Sequence, residues 1–85
     1  MFYEAIYRPS EKKGLSSDAK KFIGKRIALQ YGWRAAEGRN KGTHYYIPSP
    51  GFSGCVAESE LKDLKNISRV RWTAIRDHSR QKLKA

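Results

Sequence analysis

Little in this chain could cross-link it, carry it through a membrane or hold a metal. One cysteine, Cys55, excludes an intramolecular disulfide and any cysteine-rich zinc site, and fits a reducing compartment. The two histidines, His44 and His78, lie far apart with no cysteine or acid pair beside them, so no metal-ligand spacing arises and no metal is expected. No apolar run approaches the ~20 residues that a membrane-spanning helix needs. The segment Met1 to Tyr7 is too short for a signal peptide and carries Glu4. A cytoplasmic protein that does not engage a membrane is therefore expected. Acidic residues are also scarce. Eight Asp and Glu face 18 Lys and Arg, a net charge of +10. Catalytic sets are missing as well. Gly24-Lys25 lacks the preceding glycines of a phosphate loop, Asp18, Glu58, Glu60 and Asp63 form no acid pair, and Ser59 has no histidine in a local pattern. The expectation is a binding protein without a cofactor rather than an enzyme.

What is present is a β pattern in a chain of 85 residues, short enough for one domain with a thin stability margin. The clearest signal is Lys25-Arg26-Ile27-Ala28-Leu29-Gln30-Tyr31-Gly32-Trp33. Ile27, Leu29, Tyr31 and Trp33 alternate with small or polar residues, so a strand over about 25–35 places all four on one buried face. Gly32 inside it marks a bulge or a close backbone approach. Phe2 to Tyr7 reads as a first strand buried on both faces, ended by Pro9. Pro9 to Leu15 is a polar loop. Ser16-Ser17-Asp18 opens a short helix over about 17–23 with Ala19, Phe22 and Ile23 as its apolar stripe and Gly24 as its stop. The glycine-bearing stretch Glu37 to Gly42 joins the central strand in a hairpin to a third strand, Thr43 to Ile47. Phe52 to Ala57 gives a short fourth strand.

Leu61 and Leu64 lie three apart, which predicts a helical turn over about 58–64. Ile67 to Ile75 supports two readings. Val70, Trp72 and Ala74 alternate with Arg69, Arg71 and Thr73, which favours a fifth strand; Ile67, Val70, Ala74 and Ile75 would also suit a helix beginning at Ser68. The strand is preferred. The single domain then covers 1–76, and 77–85 forms a flexible basic tail.

This order of strand, long polar loop, strand, turn, strand, short strand, helical turn and strand resembles the Src-homology-3-like small β-barrels. Glu4-Ala5-Ile6-Tyr7 is similar to the family's first strand. Gly54-Cys55-Val56-Ala57-Glu58-Ser59-Glu60-Leu61 is similar to its glycine, hydrophobic strand and helical turn. The resemblance implies a mainly β, five-stranded barrel. Eukaryotic signalling members read proline-rich, basic peptides with an acidic long loop. Here that loop is lysine-rich, and Ala57 stands where those members carry a groove-forming proline. The chain looks closer to basic bacterial and phage barrels, which bind nucleic acid or another protein.

The charge points the same way, since a strongly basic surface attracts polyanions. Lys65, Arg69, Arg71, Arg76, Arg80, Lys82 and Lys84 follow Leu64 with Asp77 alone opposing them, and Arg34, Arg39, Lys41, His44 and Tyr45 cluster around the hairpin. Basic groups interleaved with aromatics hold phosphates and stack bases. The candidate nucleic-acid contacts are Lys12, Lys13, Arg34, Arg39, Lys41, Arg69 and Arg71 for charge, with Tyr45 as the stacking group. One of Tyr45 and Tyr46 is expected in the core and the other outside. Trp33 and Trp72 are expected in the core, and Cys55 as a small buried apolar group. The competing reading is a protein-interaction module, of phage or mobile-element accessory type, that engages an acidic protein surface.

Overall fold

The computed structural model describes residues 1–10, 14–38, 41–48 and 54–84, with side chains through 81. Five antiparallel strands form one sheet: β1 (Phe2–Tyr7), β2 (Arg26–Ala35), β3 (Gly42–Tyr46), β4 (Cys55–Ala57) and β5 (Leu61–Ile67). Their order across the sheet is β4-β3-β2-β1-β5. Helix α1 (Ser17–Lys21) lies between β1 and β2, a 3₁₀ turn (Glu58–Glu60) links β4 to β5, and α2 (Arg69–Lys84) follows β5. The mainly β class and the β2–β3 hairpin are as the sequence predicts.

The local signals explain most of these elements. The Ser16 hydroxyl accepts from the Ala19 amide at 3.1 Å and starts α1. Gly24 sits at a φ of 80°, a left-handed conformation open to glycine, and its amide bonds back to the Tyr7 carbonyl at 2.7 Å. β1 is the central ribbon, paired with β2 on one side and β5 on the other. One face of the sheet holds the core: Ala5, Tyr7, Ile27, Leu29, Tyr45, Val56 and Leu61, closed over by Ala19 and Phe22 of the α1 segment. The other face carries Phe2, Glu4, Arg26 and Ala28, and α2 packs there, chiefly on β1 and β2. Both faces of β1 are thus covered, as its sequence predicts.

The end of the chain departs from expectation. The fifth strand is Leu61–Ile67, not 67–75, and the helical turn contracts to Glu58–Glu60. The cause is a bulge. Asp63 adopts a φ of 53°, and the β1–β5 register slips between Glu4 and Ile6. The extra residue returns Leu61 and Leu64 to the same face, so a strand imitates the three-residue spacing of a helix. Ser68 then caps α2, accepting from the Arg71 amide at 3.2 Å. The helix runs through Lys84, where the sequence predicts a flexible tail from 77. Its anchor is Trp72, which is buried, donates its indole N–H to the Leu29 carbonyl at 3.0 Å and packs its ring 5.1 Å from that of Phe2. The expectation for Trp72 as a core residue holds, on a helix rather than a strand. Among the described residues, no helix is long and apolar enough to cross a membrane.

Candidate binding surface

A second bulge shapes the surface of the hairpin. Tyr31 pairs with Tyr45 and Trp33 with His44, leaving Gly32 unpaired between them. A side chain at Gly32 would place its Cβ 2.8 Å from the His44 carbonyl oxygen, so the strands approach this closely only over glycine. The unpaired residue reverses the alternation. Ile27, Leu29 and Tyr31 stay on the face of buried Tyr45, whereas Trp33 passes to the face of His44. The predicted burial of Trp33 is therefore corrected, since it is 39% exposed, and so is that of Tyr31, which stays on the core face but is 53% exposed.

Trp33 lies parallel to His44, with ring centroids 4.7 Å apart and planes inclined by 2°. Tyr46 sits beside it at 5.6 Å and is 49% exposed. The register places Cys55 next to Tyr46 and Ala57 next to His44. Cys55 is exposed on this edge rather than buried as the sequence suggests. The result is a shallow aromatic shelf beyond the part of the sheet that α2 covers. Its floor is His44, 7% exposed, whose Nδ1 has no hydrogen-bond partner among the described residues.

The predicted site residues divide into three groups. Tyr45 is 6% exposed, meets Tyr3 and Tyr31 edge to face, and offers no ring face to a base. Burial pushes its phenol pKa up, and the Glu58 charge adds to this. The stacking groups that alternation could not locate are Trp33 and Tyr46. The sequence signals available are the adjacent tyrosines, one of which is expected outside, and Gly32, which marks a bulge or a close backbone approach. Arg34, Lys41 and Arg69 are exposed and, among the described residues, pair with no carboxylate. Arg34 and Lys41 flank the hairpin end, while Arg69 opens α2. Lys12, Lys13 and Arg39 lie outside the described residues.

Arg71 has a structural task. It projects from α2 onto Glu4, donating from Nε to one carboxylate oxygen and from Nη2 to the other at 3.2 Å. Arg26 approaches the same carboxylate at 2.8 Å and also holds Asp63. Glu4 has no exposed surface. The hydrogen bonds from Arg71 hold its carboxyl below the usual 4.5, opposed by burial and helped by the charges of Arg26, Arg71 and Lys65. Arg26 holds Asp63 below its ordinary value in the same way. Arg76 lies over the Trp72 ring, 5.3 Å from its centroid, and pairs with Asp77 at 3.3 Å. The basic run after Leu64 therefore partly serves to fasten the helix.

No protein-family profile matches the chain, and no curated protein or solved structure is significantly similar to it.

Proposed function

We propose that this protein binds nucleic acid, holding phosphates with its basic side chains and stacking bases on Trp33 and Tyr46. The observation that carries the reading is the shelf itself: two neighbouring aromatic side chains left open on a sheet face in a chain of net charge +10. Arg34, Lys41 and Arg69 supply phosphate contacts, together with Lys12, Lys13 and Arg39. Arg71 is withdrawn from that set because Glu4 engages it. The order of elements, with a 3₁₀ turn between β4 and β5, supports the Src-homology-3-like resemblance and hence the comparison with basic binding barrels.

The test is fluorescence anisotropy with labelled single-stranded DNA, duplex DNA and RNA over a salt series. Binding at about 50 mM salt should weaken steeply as salt rises, because it releases counterions. Trp33→Ala and Tyr46→Ala should each lower affinity about 5- to 150-fold, the value of about 1–3 kcal/mol for a stacked base. Absence of binding at low salt, or binding indifferent to salt, refutes the proposal. A defined complex with an acidic protein and no shift of nucleic acid would favour the protein-interaction reading.

A further inference from the structure

A groove of about 360 Å³ opens where the middle of α2 crosses the start of β2. Its apolar side is Phe22, Ala74 and Ile75, and its polar side includes Lys25, Arg26 and Arg71. Among the described residues, no carboxylate lines it. Glu4 and Asp63 offset the two guanidiniums from behind, but Lys25 is exposed and pairs with no carboxylate among the described residues. Arg26 Nη1 is buried and held 2.8 Å from Glu4, which leaves Lys25 to carry the open charge of the groove. The groove lies apart from the Trp33–Tyr46 shelf and shares none of its residues.

We infer that this groove is a binding site for a small amphiphilic anion, an aromatic carboxylate or sulfonate free in solution. The volume falls at the lower end of small-molecule sites, which are about 300–1,000 Å³ and mostly apolar with a few placed polar groups. The flat body of the ligand lies against Ala74 and Ile75, and its charged end meets Lys25. Charge complementarity selects an anion: a neutral analogue gains only the apolar contact, and a cation faces Lys25. A ligand seated there touches helix and strand together and so stabilises the docked α2, since it binds the folded state alone.

The experiment uses the full chain and 2-naphthoate, followed by amide NMR shifts and by thermal unfolding. The largest shifts are expected at Lys25, Ala74 and Ile75, with a rise in melting temperature. The neutral analogue 2-naphthol should bind more weakly. Ala74 is exposed, so Ala74→Trp fills the groove without opening the core and should weaken binding at least about tenfold, as loss of the apolar cleft requires. Lys25→Gln should weaken it about two- to fivefold, the range for an exposed ion pair. Unchanged affinity in Ala74→Trp, equal binding of 2-naphthol, shifts confined to Trp33 and Tyr46, or binding only to phosphatidylglycerol vesicles would each overturn the inference. Neither variant touches the proposed nucleic-acid contacts, so the two readings fail separately.

Discussion

Replacing Glu4 with glutamine should loosen α2 from the sheet. Glu4 is wholly buried and receives two hydrogen bonds from Arg71, with Arg26 at 2.8 Å. Glutamine keeps the shape but removes the charge and turns an amide NH₂ toward a guanidinium that also donates. Hydrogen bonds to charged groups contribute about 1.5–3 kcal/mol, and breaking one side of a buried pair costs about 3–5 kcal/mol. Arg26 and Arg71 are 32% and 54% exposed, so water takes up part of what they lose. The expected loss is therefore about 2–3 kcal/mol, from the lower parts of those ranges. In a domain of this size that is about 10–20 °C in melting temperature.

Urea unfolding measures the loss, and its pH dependence identifies the cause. The folded carboxyl titrates below 4.5, so its contribution is complete above about pH 4.5 and declines as pH falls through the depressed folded value. The gap between wild type and Glu4→Gln should close over that acid range. A double-mutant cycle with Arg71→Gln should show coupling above about 0.5 kcal/mol. A variant within about 0.5 kcal/mol of wild type, the scatter of neutral surface changes, or a gap that stays constant on acidification, refutes the account of α2 docking.

Gly32→Ala should destabilise by about 1–3 kcal/mol, as overpacking does, because its Cβ would stand 2.8 Å from the His44 carbonyl oxygen; thermal unfolding reads this directly. Trp72→Phe keeps the ring contact with Phe2 but leaves the Leu29 carbonyl without its indole donor, and should cost about 1–3 kcal/mol in urea unfolding. Tyr45→Ala should cost about 3–5 kcal/mol, as loss of a core aromatic does, whereas Tyr46→Ala should change stability little and act on ligand affinity.

The sequence carried the parts of the fold that depend on local chemistry. Ser16 and Gly24 marked the ends of the α1 segment, and alternation through Phe2–Tyr7 and Ile27–Leu29 placed β1 and β2. The error at the chain end arose because periodicity assumes an uninterrupted ladder. Asp63 adds a residue to β5, so Leu61 and Leu64 counted as a helical turn. The stretch 67–75 supports a strand or a helix beginning at Ser68, and the structure makes it a helix from Arg69. Its alternation of Val70, Trp72 and Ala74 fitted the strand, although Trp72 reaches the sheet from a helix and Val70 is exposed. Nor could sequence alone reveal that Arg71 is bound to Glu4, a residue 67 positions away.

Gly32 makes the same kind of interruption, and here it decides the character of the surface. In a regular ladder Trp33 would follow Ile27, Leu29 and Tyr31 onto the core side, and Arg34 would emerge beside His44. The unpaired glycine exchanges the two. Trp33 pairs with His44 on the outer face, and Arg34 pairs with Thr43 on the side of Tyr45. The exchange places Trp33 against Tyr46 and builds the shelf from residues that simple alternation would separate. It also puts the arginine and the tryptophan on opposite faces of one strand. A ligand held by both must therefore pass around the end of the β2–β3 hairpin, as a flexible single strand can and a rigid duplex cannot. On this geometry Trp33→Ala should weaken single-stranded DNA far more than duplex of equal length, and equal losses on both would show that the shelf does not stack bases.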